Sequence, residues 1–515
     1  MRKWLIFGGA CGLAFVLAIF GTIWLKGWTA NYIRERALNT LRSDFSGVVE
    51  VGYLQVSVLP HVVISGKGLV IREPGRTDVP PLIRLKEFST EIAVWELLRG
   101  RRHIGKITLQ GLVIVTPPRS EPSPDTVVPR PRRCRPPFKV RVDEIIADGA
   151  ELDVLPSDPH KSSHVFQIRH LILHNAGLGQ AMTYEATLTN PVPVGEIQSR
   201  GEFGPWQVNN PRQTPLRGTY TFTHADLASI HGLGGTLSSQ GRFEGQLDSI
   251  DIHGTTDTPD FSLGISGHSV PLDTRFHATV DSSTGDTMLD DVRAKLLDSE
   301  ITAHGGIVRA PGQLHRRILL DATSRNARLE NLLRLALKAD KPPMVGVISF
   351  RSRIDIPSGN QTVADRLRLK GEFSIVSARF LHLNVQEKVE KLSRRGRGHI
   401  DDDSDDDGGG SVASDFSGRF RLKDSMMTFS NLKFAVPGAS VNLDGTYALH
   451  GEEVAFRGTL ALQARLSQLT RGWKAALLRP LDPIFERHGA GTLLPITIAG
   501  TGSDPKFGVD IRRVF

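Results

Sequence analysis

From Phe138 to the end of the chain, apolar and polar residues alternate in one segment after another, and this period of two limits the fold more than any other feature. A strand points successive side chains to opposite faces, whereas a helix needs apolar residues three or four positions apart. In the two clearest segments, arginines, lysines and acidic residues alternate with Ile348, Phe350, Ile354, Ile356, Leu367, Leu369, Phe373 and Ile375. These segments predict strands with one apolar face that is shielded from water and one polar face that is exposed to it.

Further strands are predicted on both sides of these two segments. Residues 219–223, 416–423, 454–462 and 496–498 repeat the alternation. Nearer the amino terminus, Gly and Pro separate four runs that are rich in β-branched residues, namely Val48–Val58, His61–Ile71, Ile83–Val94 and Ile104–Val115. Together they predict a long antiparallel meander of about 20 strands, on the order of 100 Å long at ~4.8 Å per strand. Alternation alone fits an open sheet and a closed sandwich equally well.

The amino terminus contains an uncharged apolar run, Trp4–Leu25, that is long enough for a helix to cross a bilayer. Arg2 and Lys3 precede the run, and tryptophans lie at both of its ends, where indole rings favour the headgroup layer. A cleaved signal peptide is the less favoured alternative, because the run is long and no clear cleavage site follows it. We predict a retained membrane anchor, with the amino terminus in the cytoplasm and the body outside.

Composition divides the chain into six segments. The stretch PPRSEPSPDTVVPRPRRCRPP has the proline and arginine content of a linker. The predicted segments are a membrane anchor at 1–30, a β region at 31–117, the linker at 118–137, a central β meander at 138–395, an acidic and glycine-rich flexible loop at 396–413, and a carboxy-terminal region at 414–515. Cys11 lies in the apolar run and Cys134 in the linker, so no disulfide is expected.

Only a few helices are expected among these strands. Helical spacing of apolar residues predicts short helices at Arg328–Lys338, Val385–Leu392 and Asp226–His231. The clearest amphipathic pattern covers residues 465–478, where Trp473 and several leucines share one face. We expect this helix to cap the end of a sheet, and docking on a membrane or a partner is the alternative.

Charge and aromatic content narrow the possible partners. The net charge of +8 would suit an anionic membrane surface or a nucleic acid, but basic residues are interspersed with acidic ones throughout the body. Aromatic residues make up 7% of the chain, and no basic motif with interleaved aromatic residues occurs. Nucleic acid is therefore not predicted as a partner. The basic surplus is compatible with proximity to anionic lipid headgroups and, equally, with an ordinary solvated surface.

No motif in the sequence predicts catalysis. The chain has no nucleophile elbow, no phosphate-binding glycine loop, no dinucleotide fingerprint and no helical zinc pair. The histidines stand apart in the sequence, as at His61, His174, His253 and His382, and a lone strand histidine is usually not a metal ligand. We predict a protein that is not an enzyme, with no catalytic residue, no resident metal and no cofactor.

One acidic segment matches half of a calcium-binding loop. Asp403, Asp405, Asp407 and Gly408 follow the spacing D-x-D-x-D-G, but the twelfth position is Ser414 rather than the glutamate that completes the coordination. Clustered aspartates followed by glycines are more typical of a solvated, mobile loop. We favour the flexible loop and keep weak calcium binding as the alternative.

Both ends of the chain resemble a known family. The apolar run is followed by VEVGYLQVSVLPHVVISGKGLVI and PPLIRLKEFSTEIAVWELLRGRRHIGKITLQGLVIVTPP, which are similar to the amino-terminal region of AsmA-like proteins of the bacterial envelope. The segments LKFAVPGASVNLDGTYAL, FRGTLALQARLSQLTRGWKAALLRPLDP and GTLLPITIAGTGSDPKFGVDI resemble the carboxy-terminal region of that family. The middle of the chain matches less specifically.

The resemblance implies a fold and a function. The family is related to chorein-type bridge proteins, so it implies a sheet curled into a U-shaped groove that carries phospholipid acyl chains. It further implies an inner-membrane anchor, a periplasmic body and a role in outer-membrane biogenesis. The implied lipid-contacting residues are the eight apolar residues named above, from Ile348 to Ile375. The alternatives are an anchored scaffold that acts on outer-membrane assembly proteins through its sheet edges and, less favoured, an unrecognised hydrolase.

Overall fold

A computed structural model describes most of the body of the chain. The described residues are 48–57, 62–72, 80–92, 103–116, 141–155, 163–176, 180–207, 210–313, 315–381, 383–396, 414–449, 453–464, 492–501 and 505–509. The predicted anchor, linker, acidic loop and amphipathic helix at 465–478 therefore lie outside the described residues. Among the described residues, no helix has the length and apolar character needed to cross a membrane.

The described part is one sheet of 24 strands. The strands are β1 (Val48–Ser57), β2 (Val62–Arg72), β3 (Ile83–Ile92), β4 (His103–Thr116), β5 (Arg141–Val154), β6 (His164–Ala176), β7 (Met182–Pro191), β8 (Val194–Phe203), β9 (Pro215–Asp226), β10 (Leu233–Gly234), β11 (Thr236–Gln246), β12 (Ser249–Leu263), β13 (Ser269–Asp281), β14 (Asp286–Leu296), β15 (Ser299–Val308), β16 (Arg317–Arg328), β17 (Met344–Ile356), β18 (Arg368–Phe380), β19 (Ser414–Lys423), β20 (Met426–Val436), β21 (Ala439–Ala448), β22 (Glu453–Leu462), β23 (Thr492–Thr501) and β24 (Pro505–Val509).

The strands follow one another in chain order across the sheet. Each strand pairs with the next, except that the two-residue strand β10 pairs with the end of β12, while β11 pairs with β9 and β12. All pairings are antiparallel apart from β4 with β5, which are parallel, with Ile107 opposite Ile145. Consequently β4 ends and β5 begins at opposite rims, where a rim is one of the two rows of strand ends that border the sheet.

The described residues include three short helices, which lie at the rims. They are α1 (Leu329–Ala336), α2 (Val363–Arg366) and α3 (Leu383–Gly396), and single 3-10 turns occur at Pro211–Gln213 and Leu227–Ser229. These positions confirm the helical segments predicted around residues 328–338, 385–392 and 226–231. Asp226 begins the second 3-10 turn by accepting a hydrogen bond from the backbone N–H of Ala228.

The sheet is a single curled layer that forms a half-barrel with a groove. Within the described residues, extensive strand contacts join hydrogen-bonded neighbours only, so no second sheet covers either face. Even so, exposure alternates from Thr236 to Glu244 on β11 and from Glu453 to Leu460 on β22, where the apolar side is the more shielded one. Without a covering layer, this shielding comes from curvature, so the apolar face is the concave one. The expected mainly β fold is confirmed, and the closed sandwich is wrong.

The convex outer face carries cross-strand ion pairs. Arg353 on β17 contacts Asp321 on β16 at 3.1 Å, and Arg217 on β9 contacts Glu202 on β8 at 2.7 Å. Arg317 reaches Asp355 with two nitrogens at 2.8 and 2.9 Å, and the guanidinium lowers the pKa of that carboxyl. Exposed pairs of this kind each contribute only about 0–1 kcal/mol, but they fit a single strand register.

Candidate functional site

Two adjacent rows of side chains run along the concave face from one end of the sheet to the other. We call them the first and second floor rows, because each follows the register from strand to strand and includes every strand except β10. The first floor row consists of Val56, Ile64, Thr90, Ile107, Ile145, Leu173, Tyr184, Gly201, Gly218, Phe243, Ile252, Ala278, Leu289, Gly305, Leu320, Ile354, Leu369, Leu422, Met427, Tyr447, Val454, Gly500 and Pro505.

The second floor row lies one inward-facing position away on each strand. It consists of Leu54, Gly66, Phe88, Leu109, Ala147, Leu171, Ala186, Ser199, Tyr220, Gly241, Gly254, Phe276, Val292, Ala303, Ala322, Ser352, Gly371, Phe420, Phe429, Gly445, Phe456, Ile498 and Phe507. Neither row contains a charged residue. At ~4.8 Å per strand, the uncharged floor is on the order of 100 Å long before twist and curl shorten it.

Phenylalanine rings in the second floor row lie over glycines of the neighbouring strand. A Cβ added to Gly445 would lie 2.5 Å from the ring of Phe456, and one added to Gly254 would lie 2.7 Å from the ring of Phe276. The same close approach occurs between Gly66 and Phe88. Because the ring takes the space of the missing side chain, it covers the backbone and stays low on the sheet.

Aromatic contacts extend across several strands near the carboxy-terminal end of the groove. The ring centroids of Phe373 on β18 and Phe429 on β20 are 6.3 Å apart, although a whole strand separates them. Phe429 in turn lies 5.9 Å from Phe456 on β22, across the glycine of β21. These contacts make a continuous aromatic surface across five strands.

Two tyrosines on the concave face are hydrogen-bonded to serines of the neighbouring strands. The Tyr184 hydroxyl lies 3.0 Å from that of Ser199, and the Tyr220 hydroxyl lies 3.1 Å from that of Ser239. Burial raises the pKa of both tyrosines above the ordinary value of 10, so both remain neutral at physiological pH. The tyrosines therefore introduce no charge into the floor.

The eight apolar residues singled out in the sequence lie on or beside this floor, in three different settings. Ile354 and Leu369 are opposite each other in the first floor row, and Phe350 and Phe373 are opposite each other in the row beyond the second. All four are only partly buried. Ile356 pairs with Ile318 at the opposite side of the floor, and Leu367 ends the one-turn helix α2 before β18 begins.

Ile348 and Ile375 are covered rather than open to the groove. They are 8% and 4% exposed and pack with Ala327, Ala378 and Leu329 of helix α1. Helix α3 covers a comparable cluster around Val436 and Leu462 at the same rim. The helices therefore enclose small local cores at the edge of the groove. Exposure varies along the floor itself: Leu54, Ala147 and Leu422 are buried, whereas Ile354 and Leu369 are partly exposed.

One loop contact joins the two rims. Strand β9 ends at one rim and β17 at the other, yet the backbone N–H of Val363 donates to the carbonyl of His231 at 2.9 Å. The Nδ1 atom of His231 also lies 3.2 Å from the carbonyl oxygen of Asn360. The groove is bridged at this point, so an elongated occupant would have to pass beneath the bridge.

The outer face carries a compact cluster of two histidines and an aspartate. The Nε2 atoms of His277 and His253 lie 2.7 and 3.2 Å from the two carboxylate oxygens of Asp251, and the two imidazoles stack at 4.3 Å. Asp251 and His253 are two positions apart on β12, and His277 is opposite His253 on β13. The expectation that histidines stand apart is therefore wrong for His253, because the strand register brings His277 next to it.

Comparisons of this chain with protein-family models, with curated proteins and with solved structures found no match.

The glycine and phenylalanine pairs predict a specific sensitivity to added methyl groups. We expect Gly445→Ala to lower the free energy of unfolding by about 1–3 kcal/mol, because its Cβ would meet the Phe456 ring and the carbonyl of Ala455. Gly105→Ala is the matched control, since nothing lies within 4 Å of a Cβ added there. Urea unfolding followed by circular dichroism measures both variants, and equal destabilisation of the two would contradict the packing described.

The carboxylate of Asp251 should shift the pKa of His277. Its hydrogen bond raises the pKa of His277 above the ordinary value of 6.5, and desolvation opposes this effect more weakly. A raised pKa in the folded state contributes stability below the unfolded-state value, and that stability is lost as the pH rises through the folded-state value. NMR titration of the chelator-treated protein should show a pKa above 6.5 for His277. This pKa should be lower in the Asp251→Asn variant. An unchanged pKa in that variant would refute the assignment.

Proposed function

We propose that this protein is not an enzyme and that it binds phospholipid acyl chains along the two floor rows and conducts them lengthwise. The observation that carries the proposal is that both rows remain uncharged across every strand from β1 to β24 apart from β10. A soluble single-layer sheet has no need of such continuity unless the apolar face has an occupant. Exposed apolar strips of this size usually mark a binding surface.

The energetics of an acyl chain suit this floor. Each methylene that leaves water contributes roughly 0.8 kcal/mol, and it needs contact with apolar atoms only. The charged headgroup can stay in solvent at the mouth of the groove, so no specific polar pocket is required. The rings that lie low over Gly254 and Gly445 leave room for a chain above them.

Conduction, as distinct from storage, follows from the uniformity of the floor. A chain that slides by one strand exchanges one set of apolar contacts for another, so no position holds it much more tightly than the next. The direction of movement would be set by whatever loads and unloads the two ends.

The proposed setting is the bacterial envelope, as the resemblance to AsmA-like proteins implies. In this setting, residues 1–30 would anchor the chain in the inner membrane, and the sheet would project into the periplasm as a component of outer-membrane biogenesis. The partners would then be phospholipid, the inner membrane and outer-membrane assembly proteins.

A scaffold that binds proteins through a sheet edge is the second candidate function. It is favoured by β24, which among the described strands pairs with β23 only and so forms an edge of the described sheet. Exposed edge strands are common sites for strand addition. The scaffold and the conduit make different predictions about lipid contact with the groove.

A photo-crosslinking experiment separates them. We expect photoreactive residues at Phe350 and Phe373, which line the concave face, to capture phospholipid when the full chain is expressed in bacterial cells. The same probes at Arg351 and Lys370, which are exposed on the outer face of the same strands, should not. Mass spectrometry of the crosslinked chain identifies the adduct. Equal capture at inner and outer positions, or capture at neither, would contradict the conduit.

A charge placed in the floor tests conduction against folding. We expect Leu369→Asp to reduce lipid capture by roughly 50-fold, because a charge in the apolar floor weakens lipid binding by on the order of 2.5 kcal/mol. Because Leu369 is only partly buried, the unfolding free energy should fall by only about 1 kcal/mol. Lys370→Asp on the outer face is the matched control and should retain lipid capture. Global unfolding of Leu369→Asp would instead indicate a sealed core, where an unpaired charge costs several kcal/mol.

A further inference from the structure

The cluster on the outer face has a geometry that the groove does not explain. Asp251 and His253 alternate with inward-facing residues on β12, so both point to the same side, and His277 joins them from β13. Their three ligand atoms all lie within 4.8 Å of one another. Donors on a strand and its neighbour can converge in this way only when the register places them opposite each other.

We propose that Asp251, His253 and His277 form a binding site for a divalent transition metal of the zinc class. Two imidazole nitrogens and one carboxylate oxygen are a donor set that Zn²⁺ favours and that Ca²⁺ and Mg²⁺ do not. In a tetrahedral site with bonds of ~2.0–2.1 Å, ligand atoms are roughly 3.3 Å apart. The 3.2 Å between His253 Nε2 and one Asp251 oxygen matches that spacing, whereas the 2.7 Å between His277 Nε2 and the other oxygen is a hydrogen bond that a metal would replace.

A second carboxylate supports this assignment independently. The Nε2 atom of His277 faces Asp251, while its Nδ1 atom lies 3.7 Å from the carboxylate of Asp290 on β14. At 3.7 Å the contact is too long for a hydrogen bond, but it places a carboxylate on the far side of the imidazole, where metal-bound histidines usually have one. One strand thus supplies two ligands, the next supplies one, and the third supplies the supporting group.

The surroundings favour a cation and leave room for additional ligands. Glu244 lies opposite Asp251 on β11, and Asp291 lies opposite His277 on β14. The nearby cations are Arg242, opposite His253, Arg275, two positions before His277 on the same face of β13, and Arg293, which pairs with Asp291 at 3.3 Å. The side chains of His253, Asp251 and His277 are 47%, 37% and 35% exposed, so water can reach the remaining coordination positions.

One adjustment is required for binding. The imidazoles of His253 and His277 are parallel within 5°, and a metal must lie in the plane of each ring that binds it. Rotation of one ring about its side-chain bonds therefore accompanies binding, and it breaks the stacking contact. The half-exposed side chains allow this rotation without any change in the sheet.

Cobalt titration of the full chain tests the site. After chelator treatment, we expect one equivalent of Co²⁺ to produce the intense visible absorption of a tetrahedral site, and one equivalent of Zn²⁺ to displace it. His253→Gln and His277→Gln should abolish the absorption, and Asp290→Asn should weaken binding by about tenfold. His170→Gln is the matched control, because His170 forms a comparable 2.7 Å pair with Asp148 on the outer face.

The outcomes are decisive in either direction. Loss of the absorption in both cluster variants, with thermal unfolding unchanged in the absence of metal, supports the site. Absence of tetrahedral absorption in the unmodified chain overturns it, as does binding that survives both substitutions. If a glutamine variant fails to fold, the unmodified chain still decides, because Zn²⁺ must raise its unfolding temperature whereas Mg²⁺ must not. The inference does not depend on the function proposed for the groove.

Discussion

Hydrogen bonding between consecutive strands is the constraint on which the structure depends. Each pairing has a register, and a shift by one residue would exchange the concave and convex faces of a strand. The registers agree from β1 to β24 well enough to keep charged side chains out of both floor rows. Where a strand contains an extra residue, a bulge restores the alternation of inward and outward side chains. One such bulge lies between Ile375 and Ala378, with Ser377 at a φ of 55°.

The groove exists because the apolar face has no second layer. In a sandwich, the side chains of a facing sheet would fill the space above Ile354 and Leu369, whereas here both residues remain partly exposed. Enclosed cores lie beneath α1 and α3 at one rim, and two further buried clusters lie on strands β3 to β7, around Ala147 and around Val142. The phenylalanine rings that lie over glycines provide apolar surface and project little into the groove. A channel for acyl chains requires this property.

Much of the fold could be predicted from the sequence, because alternation is a local property. The strands around Ile354 and Leu369, their inward faces and the helix at Leu329–Ala336 all follow from spacing. The choice between an open sheet and a sandwich could not be predicted, since both satisfy the same alternation. The cover over Ile348 and Ile375 was also missed, because it depends on how α1 folds back over β17.

The outer-face cluster shows a different limit. The spacing of Asp251 and His253 was visible in the sequence and placed both on one face of a strand. Their meeting with His277 depends on the register between β12 and β13, which a bulge between Thr258 and Phe261 helps to set. Local pattern determines the face to which a residue points, whereas its neighbours across the sheet depend on turn and bulge geometry.

Native mass spectrometry of the body, released gently from bacterial membranes, tests the central claim most directly. The account predicts that each chain carries more than one phospholipid, because the floor is uniform and far longer than one acyl chain. It also predicts that collisional activation removes these lipids stepwise while the chain remains folded. A folded chain that is free of lipid when isolated, and that takes up none from phospholipid vesicles, would contradict the account.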